Sequence, residues 1–239
     1  MQWPHDEFRE TFLGSIATEL HCAAFHQCEA LLALILASYQ DRPAWVYLST
    51  YGTKEIKDAA QSLVDGDVAK LSRGAHESLA EVLAAAIYAG CKPDSDEAAF
   101  SQSISDIGWF LEQYADSYLK GAEYNAYKHG LRVVSGAARL AAKSSEPGAQ
   151  MKTVIAMKHS LSFLEIGELP EGYTAEEVTK ELSPDHSFDQ IQIAAGILRT
   201  IRDSRITHLK GDASVLRTFR IDREKFSRAK PSTKMSFSY

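Results

Sequence analysis

The chain has 239 residues, 45% of them hydrophobic, with a formal net charge of -6. That length fits one large domain or two small ones and supplies enough apolar surface for a core, and it excludes a chain too polar to fold. Three cysteines, Cys22, Cys28 and Cys91, form no disulfide framework, and the longest apolar run, Ala30 to Ala37, is too short to span a bilayer. A cytoplasmic protein without membrane insertion or an export leader is therefore expected. The charge is polarised: Arg199 to Tyr239 holds 11 Lys and Arg against 4 Asp and Glu, while residues 1 to 198 hold 15 against 28. A basic end of this kind either attracts phosphates, is a solvated tail, or docks on its own acidic body.

From Thr11 to Tyr39 the positions Leu13, Ile16, Leu20, Ala24, Cys28, Leu31 and Ile35 step by three and four, the stripe of an amphipathic helix. Pro43 stops it. Ala44 to Gly52 is aromatic-rich and reads as irregular. Thr53 is expected to cap a helix through Val64, broken by Gly66, and another is expected from His76 to Ala89, closed by Gly90. Lys92 to Asp96 is a turn with capping residues, after which Phe100, Ile104, Ile107, Leu111, Tyr114 and Tyr118 mark a long helix. The pattern resumes through Tyr124, Tyr127, Leu131, Val134 and Ala138, so the stretch to Lys143 is expected to be helical with a kink near Gly130. Met151 to Met157 and Ser160 to Ile166 are rich in β-formers and predict a small hairpin turning at Lys158-His159. Glu171 to Leu182 reads as polar and exposed. Ser187 is expected to cap a last helix from Phe188 to Leu209, closed by Gly211, and the segment from Ser227 reads as flexible or as an arm packing on a partner. The expected organisation is thus a helical bundle over 1-143, a hairpin and loop insertion over 144-186, and a final helix with a basic arm over 187-239.

Near the end of the last helix lies Arg202-Asp203-Ser204-Arg205-Ile206-Thr207-His208. Arginine supplies a permanent cationic fork for phosphate, and histidine moves protons near neutral pH, so such a pair can cleave a phosphodiester without metal. The run resembles the signature of the HEPN superfamily of helical domains, an Arg followed by a polar residue and, after four to six intervening positions, a His. The resemblance implies a homodimer in which the motifs of two protomers form one ribonuclease site. It makes Arg202 and His208 the catalytic pair, with Arg205 and Asp203 contacting the RNA. On an ideal helix Arg202 and His208 lie roughly 120° apart, whereas Arg205 and His208 share a face. Either the last turn unwinds near Gly211, or a partner protomer supplies half of the site, or Arg205 is the relevant arginine. The plainer reading is a surface cluster whose cations favour a helix C-terminus.

A second run, Tyr124-Asn125-Ala126-Tyr127-Lys128-His129-Gly130, also resembles a HEPN motif in its Asn-x-x-x-His form. Here Tyr124 stands where the leading Arg would be, and Asn125, Lys128 and His129 are the substrate-binding candidates. Its plainer reading is a helix end closed by His129 and Gly130. The family resemblance, which extends to Phe25-His26-Gln27-Cys28-Glu29 on the first helix, covers about half of the chain.

Cys22 and His26 are four apart on a helix, but no second ligand pair follows at finger-like spacing, so no metal is expected. The capping of Asp94 and Asp96 and the helical spacing of the tyrosines and Trp109 fit structural roles. No Walker loop, GxGxxG or nucleophile elbow is present, and no cofactor is expected. The expectation is a mainly α fold, a HEPN-like helical bundle with an embedded small β-hairpin, acting as a metal-independent endoribonuclease on RNA in a defence or toxin setting. The alternative is a non-catalytic module of the same architecture that binds a nucleotide or a regulatory protein partner.

Overall fold

The computed structural model describes residues 5–40, 43–91, 96–128, 133–142, 152–169, 172–211, 218–228 and 234–238. The protein is mainly helical, with one small antiparallel sheet. Helices α1 (His5–Ala37), α2 (Ala44–Leu48), α3 (Thr53–Asp65), α4 (Val68–Ser72), α5 (Leu79–Tyr88), α6 (Glu97–Leu119) and α7 (Ala122–Lys128) come first. Strands β1 (Val133–Ala142), β2 (Lys152–Leu169) and β3 (Gly172–Glu181) follow, then α8 (Pro184–Lys210), α9 (Arg223–Arg228) and β4 (Lys234–Ser238). The chain divides into two compact units. One comprises residues 1–24, 121–188 and 229–239, the other residues 25–120 and 189–228. Each unit is built from non-consecutive stretches, and the segment 144–186 supplies β2 and β3 to the first.

The second unit is all helical among the described residues. Helix α6 packs against α3 and α5, and Phe100, Ile104, Ile107, Leu111, Tyr114 and Tyr118 are buried as their spacing requires. Asp96 caps α6 by accepting the Ala99 N–H at 2.8 Å. Helix α3 starts at Thr53, but its cap is Gly52, whose N–H reaches Glu55 Oε2 at 3.2 Å. Thr53 is the first helical residue and not the cap. The span expected as one helix from His76 begins only at Leu79, because Ser78 and Glu81 form a reciprocal capping box. The aromatic stretch after Pro43 holds the short α2, a correction to the irregular segment expected there.

Residues 218–228 lie along α6. The Phe219 N–H donates to Ser103 Oγ at 2.6 Å and the Ile221 N–H to Asp106 Oδ2 at 3.1 Å. Arg223 donates to Asp106 Oδ1 and Ser105 Oγ and stacks on Trp109, and Phe226 packs edge-on against Trp109 and Phe110. Burial pushes the Asp106 carboxyl up, but the Ile221 N–H, Gln102 and Arg223 outweigh it and hold the group below its ordinary value. This part of the basic end docks on an acidic group of its own chain. The Phe219 ring also lies against Gly196 of α8, where a Cβ would stand 2.2 Å from it.

The first unit holds a meander in the order β1-β2-β3-β4. The helix expected to run on to Lys143 ends at Lys128, and Val133–Ala142 is a strand. The β-branched pair Val133-Val134 favours extended backbone, the glycines disfavour a helix, and Val133 pairs opposite Phe163. Lys158-His159 is no hairpin turn either: β2 is continuous through it, pairing with β1 along its first part and with β3 along its second. What interrupts the pattern there is a β-bulge. Gly136 pairs with Ser160 and Ala138 with Met157, so Lys158 and His159 together oppose Ala137. Glu171 to Leu182 is corrected as well, because Gly172–Glu181 is strand β3 with Val178 buried.

Helix α1 lies on this sheet through two glycines, for a Cβ on Gly14 would stand 3.3 Å from the Gly136 backbone. Beside that contact Ala17 packs with Leu161 and Leu182, while Ala126 of α7 packs with Phe163 and Val178. Strand β4 pairs with β3 from Glu176↔Ser238 to Lys180↔Lys234, so part of the expected flexible arm completes the chain's own sheet. Arg9–Ala37 is long and apolar enough to cross a membrane by length and composition, although its longest unbroken apolar run is short. In its most apolar stretch 56% is buried inside the protein.

Candidate functional site

Helix α8 is oriented by its apolar positions. Ala194, Ile197, Ile201 and Ser204 step by three and four and are buried, which turns Arg202 and Asp203 outward. The helix starts earlier than expected, at Pro184, where proline suits the first turn and Ser183 Oγ accepts the His186 N–H at 3.2 Å. It closes at Gly211, whose φ is 70°.

The three motif side chains on this helix take different directions. Both Nε and Nη2 of Arg202 donate to Asp203 Oδ1, at 2.9 and 2.7 Å, with the Arg202 side chain 67% exposed. Arg205 is half-buried: Nη2 donates to Ser38 Oγ at 2.6 Å, and its buried Nε has no acceptor among the described residues. His208 is exposed, with Nδ1 4.0 Å from Cys91 Sγ. The angular separation along the helix is thus realised: among the described residues Arg202, Arg205 and His208 each reach a different partner.

Of the second motif, Asn125 is half-buried on α7, and Lys128 is exposed with its ammonium 5.3 Å from the Tyr124 ring centroid. His129 lies outside the described residues. Asn125 and Lys128 belong to the first unit, whereas Arg202, Asp203, Arg205 and His208 belong to the second.

The most developed polar cluster of the first unit was not anticipated from the sequence. Glu123, 4% exposed, receives His21 Nε2 at 3.2 Å on one oxygen and Lys180 Nζ at 2.6 Å on the other. Burial pushes its carboxyl up, but the His21 hydrogen bond and the Lys180 charge outweigh that, and it sits below its ordinary value. Nearby, Tyr127 donates to Glu19 at 3.2 Å, and burial together with Glu19 and Glu123 pushes the Cys22 thiol up to about 12. Such a thiol is inert. The available signal was Glu123 itself, an acid one position before a tyrosine of the apolar stripe.

Compared with known proteins, the chain matches no family model, no curated protein and no solved structure. Its chemistry therefore rests on its own groups. Glu123 has one oxygen on the His21 imidazole and the other on the Lys180 ammonium and acts as a clasp between α1, α7 and β3. A second buried carboxylate, Glu29, accepts from Tyr118 at 2.7 Å within the helical unit. Among the described residues no group of three or more His, Cys, Asp or Glu side chains is arranged to hold a metal. The end of α8 presents an exposed guanidinium, Arg202, and an exposed imidazole, His208, on one element.

Proposed function

We propose that the protein is a HEPN-like, metal-independent endoribonuclease that acts as a homodimer, with the last turns of α8 carrying the chemistry. The observation that supports this most is the joint exposure of the Arg202 guanidinium and the His208 imidazole. His208 Nδ1 faces Cys91, so Nε2 is the ring nitrogen open to substrate. In the proposed reaction Nε2 takes the proton of the ribose 2′-hydroxyl, the 2′-oxygen attacks phosphorus, and the bond to the 5′-oxygen breaks. That oxygen leaves as a 5′-hydroxyl after gaining a proton, and the other fragment ends in a 2′,3′-cyclic phosphate. A guanidinium binds the phosphorane oxygens as charge builds on them. Because Arg202 and His208 diverge along one helix, the arginine and histidine that meet one phosphate come from two copies.

A second reading, a non-catalytic module binding RNA or a protein partner, draws support from the pairing of Arg202 with Asp203 and the inward turn of Arg205. End-labelled RNA incubated with the protein in chelator separates the two. The nuclease reading expects 5′-hydroxyl ends and a loss of about 10²–10⁴-fold in rate for His208→Ala. Folded, dimeric wild type that binds RNA without cutting it supports the binding module, and protein that neither binds nor cuts removes the nuclease reading and leaves a protein partner as the ligand of the module.

A further inference from the structure

The bulge in β2 opens a cavity within the first unit that the α8 chemistry does not use. It has a volume of about 180 Å³, and its charged lining is Glu10 of α1, Arg139 of β1, and Lys158 and His159 of β2. Leu13, Ala137 and Met157 complete its walls. The local backbone explains how it forms. In a regular strand Lys158 and His159 would point to opposite faces, but here both oppose Ala137 and both side chains reach one hollow. One residue along the chain from Leu13 and from Ala137, the Gly14–Gly136 contact brings α1 against the sheet and closes that side.

His159 belongs to the lining, while its Nδ1 is closed to water and has no hydrogen-bond partner among the described residues, and its carbonyl accepts the Leu182 N–H at 2.8 Å. Arg139 and Lys158 give the cavity two permanent positive charges against the single negative charge of Glu10. At ~30 Å³ per water the space holds on the order of six waters, far below the ~300 Å³ at which drug-sized clefts begin.

We propose that this bulge cavity binds a small oxyanion, a phosphate or carboxylate group on a short polar body. The Arg139 fork and the Lys158 ammonium hold the anionic oxygens, and the Glu10 carboxylate accepts from a hydroxyl or amine on the body. Leu13 and Met157 limit the length of that body. The site is independent of the α8 reading, since none of its residues lies on α8.

Titration of the full chain with inorganic phosphate and with glycerol 3-phosphate, followed through the imidazole nitrogen resonances of His159, tests it. The expected result is a saturable shift for both probes, with glycerol 3-phosphate the tighter by several-fold. Arg139→Ala with Lys158→Ala should weaken binding at least tenfold, and because both side chains are exposed the variant should keep its circular dichroism. Ala137→Leu fills the hollow without changing charge and should abolish the preference for the longer probe. The absence of a saturable His159 shift in wild type overturns the proposal. So does equal saturation in wild type and both variants, which would place the anion elsewhere.

Discussion

At the scale of single residues, the side chain whose environment makes the firmest demand is Glu123. A carboxylate 4% exposed must be paired and hydrogen-bonded, and the Lys180 ammonium and the His21 ring nitrogen do this from two other elements. Its folded value lies below the ordinary one, so the group contributes stability that is fully present above the unfolded value, about 4.3. That stability is lost as the pH falls through the folded value. Glu123→Gln removes the carboxylate that His21 and Lys180 reach and should cost about 3–5 kcal/mol at neutral pH. Because wild type forfeits the same interaction when Glu123 protonates, the gap between the two proteins should narrow below about pH 4. Urea unfolding at both pH values checks this, and a gap of constant size would show that the carboxylate's charge is not its source.

Elements show where local pattern governs and where partners do. Strand β4 exists because β3 offers an open edge, with Val178 opposite Ser236 and Thr179 opposite Met235. A chain ending after Arg228 should leave that edge bare. The amides of Glu176–Lys180 that point toward β4 should then exchange with solvent much faster, while those bonded to β2 keep their protection; uniform protection in the truncated chain would mean that β4 contributes nothing. The long helices were legible because α6 buries its stripe and α1 buries Ala24, Cys28, Leu31 and Ile35 of its own, although Ile16 of that stripe is exposed. The Ser78-Leu79-Ala80-Glu81 capping box was equally visible and would have moved the start of α5 to its place. Strand β1 was not, since Val134 and Ala138, four apart, satisfy the helical and the alternating pattern alike. The pattern breaks at Lys158-His159, but a bulge and a turn both interrupt alternation, and only the partner strand tells them apart.

For the molecule as a whole, the polarity of charge was readable from the sequence, whereas its availability depends on tertiary partners. The excess of 11 Lys and Arg over 4 Asp and Glu after residue 198 overstates what a polyanion would meet. Arg223 and Arg220 lie against Asp106, Arg205 turns to Ser38, and Arg202 is held by Asp203. The motif around Arg202 and His208 was legible for the same reason it was incomplete: residue types and spacing are local, but the direction of each side chain is set by what packs around α8. If α8 meets RNA, Asp203 competes with phosphate for the Arg202 fork. Replacing it by alanine should then strengthen binding of a short single-stranded RNA. Each phosphate neutralised on a single strand adds about 0.7 to the steepness with which log affinity falls against log salt, so Asp203→Ala should steepen that line by about this amount. Anisotropy titrations across a range of salt read both quantities. A slope and affinity equal to wild type would mean that Arg202 does not touch the nucleic acid, and the α8 site would lose its phosphate fork even if His208 proved essential.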